Sequence, residues 1–241
     1  MKIPSTIQLL IVSLMAFSQH SYSGQFFSNN NTVSTGKITI NNVDISDQNI
    51  LRGSGKYATK VVSVQRFNAV DSQGGFQLVF RQGRQAVEFR GDDNLIERIR
   101  YQVDGDTLKL TMPEPYTTHN DLVIAITLDQ LKRIKVAGSS NVQLNSLNTD
   151  SLALELSGSV DVRGQGHSQT LQVLVQGSGD VDLRNWQAND VIIEASGATD
   201  FHVAAKDTLK VRASGAGDIV YYGNPELTTR LSGVTDIEKG D

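Results

Sequence analysis

The chain has 241 residues, enough for one long domain or two small ones. Lys and Arg total 22 against 26 Asp and Glu, a formal net charge of −4, which argues against a nucleic-acid partner recruited by bulk electrostatics. The sequence contains no cysteine, which excludes disulfides, thiolate metal sites, a Cys nucleophile and a lipid-modified Cys.

Residues 1–23 read as a secretory signal peptide. Lys2 supplies the positive start and Ile7 to Phe17 a short apolar core. Ser21-Tyr22-Ser23 offers small residues for cleavage before Gly24, and Ala16-Phe17-Ser18 offers a second place. The apolar run of 11 residues is well short of the ~20 needed to span a bilayer, so no membrane span is expected once the signal is removed. Residues 24–52 form a polar, Asn-rich lead-in, with Lys37–Ile40 as one edge strand.

The main domain is expected over 53–241. Gly53-Ser54-Gly55 has the look of a phosphate-binding glycine pair, but no amphipathic helix follows, so a turn is the better reading. Alternating runs at Phe67–Val70, Phe76–Phe80 and Ala86–Phe89 predict strands, with turns at Gly74-Gly75 and Gln82-Gly83. Asn94–Ile99 suggests a short helical turn. Asp104-Gly105 between two apolar runs signals a hairpin. Leu122–Leu128 is a further strand. Trp186 is expected in a loop that covers a coil, and Tyr221–Pro225 in a turn.

From about residue 131 the chain repeats itself. Gly138, Gly158, Gly177, Gly197, Gly215 and Gly233 follow one another at steps of 20, 19, 20, 18 and 18 residues. Three residues after each comes Asn141, Asp161, Asp180, Asp200, Asp218 or Asp236, and the next residue is always apolar. Four before each Gly lies an apolar residue, with Thr229 the one exception. A fixed period of this length marks a solenoid, and alternation of period two marks strands with one buried face. The expected fold is therefore all-β: a right-handed parallel β-helix of ~18–20-residue coils with irregular N-terminal coils, its clean repeats spanning about 131–241.

Few residues stand out as chemistry. If coils stack about 4.8 Å apart, Asp161, Asp180, Asp200, Asp218 and Asp236 form a row of carboxylates. A hard cation such as Ca²⁺ would suit such a row, but capping of each turn by its own Asp explains it as well, and Asn141 caps equally. Asp180, Asp182, Arg163 and Arg184 are the set a polysaccharide-cleaving enzyme would draw on. His20, His119, His167 and His202 are scattered and give no zinc pair, and no Gly-x-Ser-x-Gly elbow is present. No catalytic, cofactor-binding or metal residue is therefore assigned, and no cofactor is expected.

Taken in order, Gly53-Ser-Gly55, Phe67-Asn-Ala-Val70, Gly74-Gly75-Phe76, Asp92-Asp-Asn-Leu-Ile96, Asp104-Gly-Asp-Thr-Leu-Lys109 and the Ser-Gly-x-x-Asp turns ending in Tyr222-Gly-Asn-Pro225 resemble the bacterial family described as "putative auto-transporter adhesin, head GIN domain". The resemblance covers Gly53 to Asp241. It implies an exported β-helical domain of the cell envelope, with no catalytic residues to carry over. Gln77 stands where the later repeats carry Asp.

The expected function is that of an exported, non-enzymatic β-helix used for adhesion, binding or envelope structure, located in the periplasm, on the outer surface or secreted. Its partner would be an envelope or host glycan or a protein surface, and not nucleic acid. The alternatives are a carbohydrate-active lyase or hydrolase on the same scaffold, and a self-assembling envelope element whose end coils associate. The position of Ser232–Ile237 motivates a stacking contact there.

Overall fold

The computed structural model describes Thr32–Ser34, Lys37–Ile40, Val43–Asp44 and residues 50–241. The expected signal peptide and its cleavage sites lie outside the described residues. The chain divides into two compact units, Met1–Asn49 and Ile50–Asp241. In the first, β1 (Thr32–Ser34), β2 (Lys37–Ile40) and β3 (Val43–Asp44) form an antiparallel meander, with Thr32 opposite Thr39 and Ile40 opposite Val43. The strand expected at an edge, β2, is the middle one of the three.

The second unit is all-β apart from one short helix. Its elements are β4 (Leu51–Arg52), β5 (Tyr57–Val62), β6 (Ala69–Gln73), β7 (Gln77–Gln82), β8 (Ala86–Asp92), α1 (Asp93–Ile96), β9 (Arg100–Asp104) and β10 (Thr107–Thr111). Then follow β11 (Tyr116–Thr117), β12 (Val123–Leu128), β13 (Arg133–Tyr222) and β14 (Glu226–Lys239). The hairpin signal at Asp104-Gly105 joins β9 to β10, and Gly105 takes the left-handed φ of +61° that the turn demands. The helical turn expected from Asn94 begins one residue earlier, and Gly223–Pro225 makes the turn into β14.

β13 is extended over 90 residues. A straight strand of that length would measure roughly 300 Å, and no residue in it could touch another 18 positions away. Yet the Trp186 indole N–H donates to Ser168 Oγ at 3.0 Å, and Thr208 Oγ1 donates to Asp190 Oδ1 at 2.6 Å. The Asp180 N–H donates to Asp161 Oδ1 at 3.0 Å. β13 therefore folds back on itself at the period read from the glycines. β14 continues it: Thr208 to Tyr221 pairs in parallel with Glu226 to Lys239, always 18 residues on.

The inward positions of these coils are the apolar ones. Leu154, Val173, Ile193 and Val211 are buried. Each such side chain stabilises the fold by about 1.5–3 kcal/mol relative to exposure. Thr229, the polar exception, pairs with Val211 and is exposed.

The glycine column has a steric cause. A methyl group on Gly158, Gly177, Gly197, Gly215 or Gly233 would overlap the backbone carbonyl of the glycine one coil before. The column reaches one coil further than the clean repeats, since a methyl on Gly138 would press on the carbonyl of Gly74, 64 residues earlier. Register agrees: β6 pairs in parallel with Arg133–Ala137, and β7 with Asn141–Asn145, placing Gln77 beside Asn141. Beyond them, β10 pairs with β6 and β12 with β7, also in parallel. Stack order therefore departs from chain order. The layer holding β10 and β12 lies beyond the layer of β6 and β7, although it comes later in the sequence.

Parallel coils throughout are not found. The nine-stranded sheet is mixed. β9 pairs antiparallel with β10, β8 with β12, and β5 with β8. These strands line the end of the stack and cover its apolar interior, where Phe76, Phe80 and Phe89 are fully buried.

Candidate binding face

The Asp row occupies the corner after each glycine. Asp161, Asp180, Asp200, Asp218 and Asp236 are all exposed, and Asp218 lies in register with Asp236. The carboxylates are not used as expected from the sequence. Asp161 Oδ1 accepts the N–H of Asp180, and Asp200 Oδ1 accepts the N–H of Asp218 at 2.9 Å, so the cap ties the next coil rather than the residue's own turn. Such a bond to a charged acceptor is worth about 1.5–3 kcal/mol, less at an exposed site. Among the described residues, no group of three or more His, Asp and Glu side chains is disposed to hold a metal ion.

The four residues an enzyme would have drawn on are only partly brought together. Asp182 Oδ1 accepts from Arg184 Nε at 2.8 Å and from its backbone N–H at 3.3 Å. Burial raises the Asp182 carboxyl, but those hydrogen bonds and the charges of Arg184 and His202 outweigh it and hold its pKa below the usual carboxylate range. A general acid needs the opposite shift. Asp180 is tied to Asp161 through its backbone N–H, not its carboxylate, and Arg163 lies on the preceding coil.

Two open grooves run across the coils on this side. One, of about 310 Å³, lies over Gly164 and is lined by Gln143, Asn145, Arg163, Gln165, Asp182 and Asn185 among others. The second, of about 560 Å³, includes His167, Gln187, Asn189, Lys206, Tyr222 and Asn224 in its lining. Trp186 lies between Asn185 and Gln187 but faces inward and is fully buried. It sits within β13, not in a loop, and its bond to Ser168 fixes neighbouring coils beneath the grooves. The sequence reading missed the amides around it. The signal was present in the outward residues either side of Trp186, but assigning that stretch to a loop removed them from the repeat.

The glycine pair at Gly53 and Gly55 has a different role. The Gly55 N–H donates to Asp92 Oδ1 at 2.9 Å, and Asn120 Nδ2 to the same oxygen at 2.6 Å. Asp92 Oδ2 accepts from the His119 N–H at 2.9 Å, Thr118 Oγ1 at 3.1 Å and the Asn120 N–H at 3.4 Å. A methyl group on Gly53 would overlap this carboxylate. The loop thus cradles an anion, but the anion is the protein's own. Burial raises the Asp92 carboxyl, and the hydrogen bonds, led by the His119 N–H and the Asn120 side chain, outweigh it and lower the pKa to about 2.

The described residues thus form an all-β scaffold whose outward polar face varies from coil to coil. Residues 66–225, more than half of the chain, match the family described as "putative auto-transporter adhesin, head GIN domain", and the chain belongs to that family. Its fold is similar to that of a crystal structure described as a "putative adhesin" from Bacteroides fragilis, with 24% identity and a TM-score of 0.63 over 78% of this chain and 99% of that one. A crystal structure described as a "putative lipid binding protein" from Parabacteroides distasonis shares 20% identity with a TM-score of 0.52, over 79% of this chain and 99% of that one. No curated protein matches the chain. Two descriptions on one fold agree with the general rule that ligands belong to sites and not to folds.

Proposed function

We propose that this chain is an exported, non-enzymatic module of the bacterial envelope, used for adhesion or binding to a glycan or protein surface. In this reading residues 1–23 are removed on export, 24–52 are a lead-in, and 53–241 wind as a right-handed parallel β-helix with irregular N-terminal coils. The protein then resides in the periplasm, on the outer surface or outside the cell. The observation that carries the proposal is the division of labour along each coil: inward positions and glycine corners repeat, while outward positions vary and open into grooves. Backbone-stacked coils of this kind make a rigid platform, which lowers the ordering cost of binding. No helix among the described residues is long and apolar enough to cross a membrane.

The test is a binding panel of envelope and host glycans, run with and without Ca²⁺, with polymer mass measured in the same wells. Retention at unchanged mass supports the proposal. Shortened polymer overturns it in favour of the lyase or hydrolase alternative. Self-association is a second reading, favoured by the exposure of Leu227, Leu231 and Val234 on β14. Light scattering that stays monomeric at high concentration would remove it.

A further inference from the structure

Resting on that reading, we propose that the two grooves form one binding site for an acidic polysaccharide, laid obliquely across the coils with its carboxylates on Arg163 and Lys206. The grooves adjoin along one strand, since the lining of the smaller ends at Asn185 and that of the larger takes up at Gln187.

The lining chemistry selects the ligand. Asn145, Asn185, Gln187 and Asn189 border the grooves, and among the described residues none of their side chains makes a hydrogen bond to the protein. Each amide offers a donor and an acceptor together, which is the complement of a row of sugar hydroxyls. A protein partner held by burial would instead call for an aromatic or aliphatic anchor in a pocket; the one tryptophan nearby faces inward, and Tyr222, in the lining of the larger groove, is stacked on His202 of the coil before.

Charge then separates acidic from neutral polymers. Asp182, the carboxylate of the smaller groove, is paired to Arg184 at 2.8 Å. Neither Arg163 nor Lys206 has a carboxylate within 4.0 Å among the described residues. They stand two coils apart, roughly 10 Å along the stack, and are offset by four positions along the strands, up to about 13 Å, since Arg163 comes five residues after Gly158 and Lys206 nine after Gly197. A polysaccharide that crosses the coils obliquely reaches the two cations with units several residues apart, while the amides between them hold the hydroxyls. No bond is made or broken.

The experiment measures binding of the full chain to a polyuronate and to a neutral polymer of the same linkage, by affinity electrophoresis and calorimetry. Three proteins are compared: wild type, R163Q/K206Q, and Q187A/N189A. All four positions line the grooves as outward residues, and melting curves check that the variants fold. A control, K135Q/K210Q, removes two cations elsewhere. The expected result is polyuronate binding that weakens with salt, at least tenfold weaker in each groove variant and unchanged in the control. Equal binding of the neutral polymer overturns the charge assignment. Polyuronate binding that ignores the groove variants overturns the site but leaves the adhesion reading intact. If the wild type binds another glycan or a protein and no polyuronate, the ligand class is wrong and the broader reading stands. If it binds no glycan and no envelope or host protein, both fail.

Discussion

The stacking of backbone on backbone at the glycine column can be tested by a single methyl group. Gly197 takes φ +126°, and a Cβ built there overlaps the carbonyl oxygen of Gly177 on the coil before. Two costs add in Gly197→Ala. A side chain in that region of φ costs on the order of 1–3 kcal/mol. Forcing the coils apart to clear the overlap costs typically a further 1–3 kcal/mol. A loss of about 4 kcal/mol follows, and for a domain of this size 1 kcal/mol moves Tm by about 2–4 °C. Gly105→Ala is the matched control, since Gly105 also has positive φ but nothing lies within 4 Å of its added methyl. It should lose only about 1–2 kcal/mol, the left-handed penalty alone. Far-ultraviolet circular dichroism melts of the two variants and wild type supply the comparison. The expected drops are about 8–16 °C and about 2–8 °C. Equal drops would refute the claim that close coil contact, and not backbone freedom alone, requires glycine in the column.

Other perturbations follow from the same contacts. Asp92→Asn turns an NH₂ toward N–H groups that the carboxylate now accepts, and should cost about 2–4 kcal/mol in urea unfolding. The Asp92 carboxyl is lowered from 3.8 to about 2, so its contribution is present above about pH 4 and is lost as pH falls toward 2. That contribution is about 2 kcal/mol, and acid titration of Asp92→Asn should show a shallower fall in this window. Asp161→Asn keeps an acceptor for the Asp180 N–H and should change Tm little, whereas Asp161→Ala should lose about 1 kcal/mol. Under the cap account neither Ca²⁺ nor chelator shifts the wild-type melt, and a Ca²⁺-dependent rise would restore the metal reading. Trp186→Phe strands the buried Ser168 hydroxyl and should cost about 1–3 kcal/mol. Trp186 is also the sole tryptophan, so wild-type fluorescence should shift to longer wavelength only when the coils themselves open.

Which parts of this architecture the sequence could reveal depends on how local they are. The inward rows and the glycine column were legible because a fixed period places equivalent residues at one step, and Leu154, Val173, Ile193 and Val211 all fill the interior as that period requires. The layer of β6 and β7 was harder to see. Gln77 was matched to the Asp position of the later repeats, and it does lie beside Asn141, but the layer's glycine corner at Gly74 meets Gly138 only after the chain has made β8 to β12, and the spacing does not say that the two layers are neighbours. Stack order was not legible, because a parallel pairing such as β10 with β6 is decided by long-range register and not by the strands' own alternation. The antiparallel pairing of β5 with β8 and of β8 with β12 escaped for the same reason, whereas that of β9 with β10 was legible in the Asp104-Gly105 turn. At the site, the Asp row was found but its partner was misjudged, since own-turn and next-coil N–H groups look alike in one dimension. The grooves were missed because they are depressions shared by three or more coils, made as much by Gly164 and Gly223 as by any reactive side chain.

The central claim, a rigid and non-catalytic stack that holds an acidic polymer along one face, is tested most directly by amide hydrogen exchange on the free and polyuronate-loaded protein, with polymer mass followed in the same samples. The account predicts a stack already protected when free, added protection confined to the neighbourhoods of Arg163, Gln187 and Lys206, and polymer of unchanged mass. Added protection elsewhere, or a polymer shortened by incubation, would contradict it.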